Sequence, residues 1–194
     1  MRHTTITSLT GVGLFEMTLD SGRLPVQVTV RKDIHRVLNP DQFAAAAMTS
    51  YYLALWQHDA ATIARGDFAA LSARPRRRAL ITTLLGTRNR AEFESVERAA
   101  HGDIEFVGTG PITDFGAPSV RIAAGLGRID SIEIDRRWAV VAQPPDIGYD
   151  IIECANQIRQ QRPTFRVDDS WANLSDEALE QELEIYRDYM NRNF

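Results

Sequence analysis

The chain has 194 residues, enough for one domain or two small ones. With 44% hydrophobic and 25% charged residues, 12 glycines and 8 prolines, it is neither a disordered chain nor a collagen-like one. A single cysteine, Cys154, excludes a disulfide scaffold and fits a reducing compartment; the net charge is −4, and 21 of the 22 basic residues are arginine.

Residues 14–19 read as a strand running into the turn residues Asp20-Ser21-Gly22. Leu24, Val26, Val28 and Val30 then alternate, which predicts a half-buried second strand and a β-hairpin, with Pro25 marking an edge or a bulge. Asn39-Pro40-Asp41 is a helix entry, because proline suits the first turn and an acid suits the positive end of the helix dipole. The helix is expected over residues 41–64, with Phe43, Ala47, Tyr51, Ala54, Leu55 and His58 on one stripe and Trp56 packed. Past Gly66 and Pro75, residues 78–85 read as a strand or one helical turn. Residues 90–100 read as a short helix closed by Gly102, and residues 104–107 as a strand.

The opening pattern then returns. Residues 119–123 read as a strand, Gly125-Leu126-Gly127 as a turn, and Ile129, Ile132 and Ile134 as a second strand ending at Asp135. Pro144-Pro145-Asp146 opens a helix with Ile147, Ile151, Ala155 and Ile158 on one face, ended by Pro163. Gly22-Arg23-Leu24 and Gly127-Arg128-Ile129 lie 105 residues apart, as do Pro40-Asp41 and Pro145-Asp146. The apolar strand positions slip by one between the two halves. Such a slip would swap strand faces, so a bulge must absorb it if the repeat is real. At the end of the chain, Ser175 is an N-cap, with acids in the turn that follows. Leu179, Leu183, Tyr186 and Met190 form the apolar stripe of a terminal helix, which is expected to dock in cis.

Two charge blocks stand apart. Residues 74–91 hold Arg74, Arg76, Arg77, Arg78, Arg88 and Arg90 and no acid, whereas residues 168–188 hold eight acids and only Arg187. The arginines fit a phosphate or nucleic-acid contact, or a solvated loop that pairs with the acidic tail; without interleaved aromatics the second reading is preferred. The other candidates carry little chemistry. His3, His35, His58 and His101 lack metal-ligand spacing, and Asp33/His35 and His58/Asp59 read as surface or capping pairs rather than base and orienter. Cys154 reads as a buried, inert thiol. Gly11-Val12-Gly13 and Gly125-Leu126-Gly127 suit hairpin turns, and Gly108-Thr109-Gly110 lacks the Lys-Ser/Thr ending of a phosphate loop. Asp168-Asp169 reads as a solvated pair, and Tyr149-to-Glu153, a Tyr-x-x-x-Glu spacing inside a predicted helix, as chance. Trp138 and Trp171, at element ends, are candidates for an interface or for the protein's own core.

The strand, Gly-centred turn, strand ending in apolar-x-apolar-Asp, short loop and helix resemble the YbaB/EbfC family of nucleoid-associated proteins. The second half carries this best, in Ser119-Val-Arg-Ile, Gly127-Arg-Ile-Asp-Ser-Ile-Glu-Ile-Asp135 and the helix with Cys154-Ala155-Asn156. The first half matches through Leu14-Phe-Glu-Met-Thr-Leu19, Gly22-Arg-Leu24 and the helix from Asp41. The resemblance implies obligate dimers and DNA binding without strong sequence preference. For relatives encoded beside actinobacterial type VII secretion systems, it implies accessory or secreted roles. This chain departs from the family in holding two units, in lacking the long charged N-terminal helix and in adding an acidic C-terminal helix. The first departure suggests a pseudo-dimer within one chain; the others weigh against DNA.

The expected architecture is therefore α+β: two β-hairpin-plus-helix, YbaB-like units related by a pseudo-twofold, plus an amphipathic C-terminal helix. Its segments are residues 1–70, an arginine-rich connection at 71–115, a second unit at 116–165 and the acidic helix at 166–194, together one compact domain. The expected function is non-enzymatic and cytoplasmic. It is binding of a protein partner or second copy through Trp138, Trp171, Leu179, Leu183, Tyr186 and Met190, with no cofactor, metal, membrane or small-molecule substrate. The alternative is a nucleoid-type DNA binder using the six arginines; a small enzyme with an unseen site ranks last.

Overall fold

A computed structural model describes residues 13–72 and 74–193; His3, Gly11 and Val12 lie outside them. The described chain is mixed α+β, with two small antiparallel sheets and seven α-helices. Where one compact domain is expected from the sequence, the chain divides into two compact units. A sheet unit comprises the described residues of Met1–Leu71 with Val107–Ala124 and Arg128–Arg159. A helical unit comprises those of Ser72–Phe106, Gly125–Gly127 and Gln160–Phe194.

The sheet unit begins with strands β1 (Phe15–Leu19) and β2 (Pro25–Val30), an antiparallel pair. Leu19 faces Pro25 while Thr18 faces Gln27, so Val26 is left as the extra residue of a bulge. The bulge breaks the expected alternation: Leu24 and Val30 are buried, but Val26 turns outward. The tight turn also differs from its sequence reading. The left-handed residue is Arg23 (φ 59°), not Gly22. That strain is held by three ties: Arg23 Nε donates to Asp59 (3.2 Å), its Nη1 donates to the Leu71 carbonyl (3.0 Å), and its own carbonyl accepts from the Tyr51 hydroxyl (3.1 Å).

A four-residue helix, α1 (Ile34–Val37), and a 3-10 turn at Pro40–Gln42 lead into α2 (Phe43–Ala64). Asn39 and Gln42 form a capping box at the 3-10 turn. Phe43, Ala47, Tyr51 and Ala54 are buried as expected. Leu55 is only half-buried and His58 is exposed. Trp56, expected to pack, is 63% exposed.

The second sheet has the order β3 (Phe106–Thr109), β4 (Val120–Ala124), β5 (Ile129–Ile134). A short helix, α5 (Arg136–Val141), precedes α6 (Pro144–Gln161). β4 and β5 repeat the bulge, because Ala124 faces Ile129 while Ala123 faces Ser131, leaving Asp130 as the extra residue. The two hairpins therefore match through their registers. The first strands correspond at a separation of 105 (Leu19 with Ala124) and the second strands at 104 (Pro25 with Ile129). Between these paired ends the first hairpin has five residues and the second has four. The buried positions of the long helices also correspond at 104: Phe43 with Ile147, Ala47 with Ile151, Ser50 with Cys154, Ala54 with Ile158.

Each long helix ties to the other half's hairpin. Tyr51 on α2 accepts a hydrogen bond from the Ile129 amide at the start of β5 (2.9 Å). Arg159 on α6 donates to Asp20 (2.6 Å) and to the Pro25 carbonyl at the start of β2 (2.7 Å). Close backbone approaches need glycine here: a Cβ at Gly108 would sit 2.1 Å from the Cys154 carbonyl oxygen, and one at Gly148 would sit 2.9 Å from that of Val28.

The helical unit consists of α3 (Arg77–Leu85), α4 (Arg90–His101) and α7 (Asp176–Asn193). Asn89 caps α4 through the Glu92 amide, and Gly102 (φ 84°) ends it. Leu80, Ile81 and Leu84 from α3, Phe93, Val96 and Ala100 from α4, and Leu179 and Leu183 from α7 form one core. The terminal helix thus docks in cis. No helix of the described residues is long and apolar enough to cross a membrane.

Candidate functional site

The sheet unit carries a cleft of about 410 Å³ between the β3–β4 connection and the start of α6. One wall is the loop Pro111–Phe115. Thr113 shapes it by donating to the Ala117 carbonyl from both its amide and its hydroxyl (2.9 Å each), and Gly116 turns the chain at φ 78°. Arg137 braces the loop, donating to the Phe115 carbonyl (2.8 Å) with its guanidinium 5.2 Å from the Phe115 ring centre. A second wall is α5, started by Asp135, whose carboxylate accepts from the Trp138 amide (2.8 Å). Trp138 and Val141 face the cleft from this helix.

The floor is polar. Asp150, one turn beyond Asp146 on α6, accepts a hydrogen bond from the Ser119 hydroxyl. Asp150 is only 7% exposed and Ser119 only 1%. Burial pushes the Asp150 carboxyl above its ordinary value; the Ser119 hydrogen bond works against this, and the nearby charges of Asp146 and Glu153 add to it. Neither histidine nor lysine lines the cleft, so the Ser119–Asp150 pair has no proton relay of the Ser-His-Asp kind beside it. The pair can hold a proton, accept a hydrogen bond or attract a cation. Among the described residues no group of three metal-binding side chains gathers. No protein family, no curated protein and no solved structure matches the chain.

Of the partner- and nucleic-acid-binding residues expected from sequence, Trp138 alone lines this cleft. Trp171 packs against the helical core, which includes the buried Leu179 and Leu183, and Met190 is buried as well. Tyr186 lies on the same core, its hydroxyl donating to the Thr87 carbonyl and its ring tilted against Phe93. These five side chains are therefore occupied within the chain, because an amphipathic helix that finds an apolar groove of its own buries its stripe there.

The arginines divide. Arg77 pairs with Glu180 (2.6 Å), Arg90 with Glu94 (2.6 Å) and Arg78 with Asp176 (2.6 Å). Arg78 also donates to the carbonyls of Trp171 (2.8 Å) and Leu174 (2.9 Å). Arg74, Arg76 and Arg88 are exposed. Arg76 and Arg88 flank the two ends of α3, a nine-residue helix about 13 Å long, so they do not form one tight patch.

Among the described residues, His35 contacts the Ala142 carbonyl (3.0 Å), His58 contacts Asp59 (2.9 Å), and His101 contacts the Glu97 carbonyl (2.8 Å). Cys154 is buried and its thiol is pushed up to about 12 by desolvation, which keeps it protonated and inert. The sequence reading missed Ser119, Asp146, Asp150 and Tyr149 as site residues. One signal was present: Asp150 falls three residues after Ile147 and one before Ile151, an acid within the apolar stripe of α6.

Proposed function

We propose that this chain is a non-enzymatic accessory protein that binds a protein partner through the cleft of its sheet unit. Its two hairpin-and-helix halves are read as copies of one YbaB/EbfC-like unit, related by a pseudo-twofold within one chain. The observation that carries the reading is the rim of the cleft. Ile112, Phe115, Val141 and Tyr149 are exposed apolar or aromatic side chains around the half-buried Trp138. Side chains of this kind clustered at a concavity favour a macromolecular contact, since a lone chain gains nothing from leaving them wet together. The family resemblance favours a partner linked to type VII secretion.

The nucleic-acid alternative is weakened by the pairing of Arg77, Arg78 and Arg90 with acids, while Arg74, Arg76 and Arg88 keep it alive. Affinity capture from the source cells with the wild-type chain and with a Val141→Asp/Tyr149→Ala variant tests the reading. A protein retained by the first and lost by the second is the expected result. Duplex DNA binding at about 50 mM salt that disappears by about 200 mM, and that Arg74, Arg76 and Arg88 to alanine abolishes, would instead establish the DNA reading.

A further inference from the structure

We infer that the cleft is built to receive a basic side chain, arginine or lysine, carried between apolar residues on the partner; this rests on the partner-binding reading and names the chemistry it requires. The first argument is charge. Asp114, Asp146 and Asp150 all line the cleft, and no arginine or lysine does. Arg137, the cation that braces the wall, spends its guanidinium on the Phe115 carbonyl and ring.

The second argument is the state of Asp150. It is more than nine-tenths buried, faces the cleft, and has the Ser119 hydroxyl on one oxygen. Among the described residues no donor reaches its other oxygen, Oδ1, and no cation pairs with it. A buried carboxyl without a counter-charge is unfavourable. Asp146 on the preceding turn, at i and i+4, adds like-charge repulsion.

The third argument is that the fold does not need this acid. At the corresponding positions of the first half, 104 residues before Asp150 and 105 before Ser119, stand Ala46 and Leu14, both buried. The same architecture is thus completed there by two apolar side chains. The Ser119–Asp150 pair has no polar counterpart at those positions. A basic side chain entering from the rim would place its charge by Asp150 and Asp146, and its alkyl stem against Trp138, Val141 and Tyr149, where aromatic faces also favour a cation.

The test uses the full chain and three probe peptides, Ac-Ala-Leu-Arg-Phe-Ala-NH2 and its versions with citrulline or glutamate in place of arginine. Binding is followed by calorimetry and by amide chemical shifts. Citrulline keeps the shape of arginine and removes the charge. The arginine peptide is expected to bind about tenfold or more tighter than the citrulline peptide, the scale of a hydrogen bond to a charged group. Its shifts should centre on residues 111–119 and 138–150. Asp150→Asn, which can still accept from Ser119, and Asp146→Asn, at an exposed position, should each reduce the preference, and together they should remove it. Equal affinity for the arginine and citrulline peptides, no binding of the arginine peptide, or a preference that survives in the double variant overturns the inference. If partner capture depends on Val141 and Tyr149 while the peptides show no charge preference, the partner reading stands and the basic anchor falls.

Discussion

Asp150 occupies a helical position whose stripe neighbours Ile147, Ile151, Cys154 and Ile158 are all buried and apolar or weakly polar. Its carboxyl titrates above its ordinary 3.8, chiefly because burial disfavours the charged form. The consequence for stability has a definite sign. Between the unfolded and folded pKa values the folded chain holds the proton more tightly, so stability falls as pH rises through that window. Above it, the full cost of the buried charge is present. Asp150→Asn keeps the Ser119 contact and removes the charge, so it should melt above wild type at pH 7, with the difference closing below about pH 4. Thermal unfolding of both proteins at the two pH values measures this; a variant that melts lower at pH 7 would mean the charge is stabilised where it sits. Other single residues show why the sequence is only partly readable at this scale. Cys154 as an inert thiol follows from its apolar neighbours along the helix. Trp56 does not follow, because how far α2 extends beyond the surface that covers it is a tertiary property that no stripe of residues reveals.

Among the elements, α7 and the turn before it show how charge blocks become structure. The arginine-rich and acidic segments do meet in cis, through Arg77 with Glu180 and Arg78 with Asp176, but the two pairs are not equivalent. Arg77 and Glu180 are both largely solvent-exposed, and such a pair contributes about 0–1 kcal/mol. Arg78 is more enclosed and also donates to the carbonyls of Trp171 and Leu174 at the entry to the terminal helix. Arg78→Ala should therefore destabilise the fold by about 1.5–3 kcal/mol. Arg76→Ala, at an exposed position, should stay within about 0.5 kcal/mol. Urea unfolding of both variants separates them, and equal midpoints would rule out the bridging role. The complementary charge blocks were visible in the sequence; the carbonyls were not, since their directions depend on how the Asp169–Trp171 turn is laid against α3. The hairpins and both long helices were legible from period and turn residues. The short helices Ile34–Val37 and Arg136–Val141 were not, because four to six residues are too few to display a helical period. The floor of the cleft was hidden for a related reason: Ser119 and Asp150 lie 31 residues apart and meet only once β4 and α6 are packed.

At the scale of the whole molecule, the two compact units each have their own buried set of side chains. The buried core of the helical unit comes from α3, α4 and α7, with Phe165, Trp171 and Leu174 packed against it, and Leu183 lies within it at 1% exposure. The sheet unit is closed by other residues, among them Phe43, Tyr51, Ile122, Ile129, Ile147 and Ile151. Local stability in a protein follows such contiguous sets, and each opens with its own free energy. Leu183→Ala removes a buried leucine side chain and should cost about 2–5 kcal/mol where the cavity forms. Hydrogen exchange read peptide by peptide shows where that cost falls. If the units open separately, amides in α3, α4 and α7 lose protection while those in β4, β5 and α6 keep theirs, and binding at the cleft is retained. If protection falls equally in both sets, the chain unfolds as one cooperative body, and the terminal helix then stabilises the cleft as well as its own core.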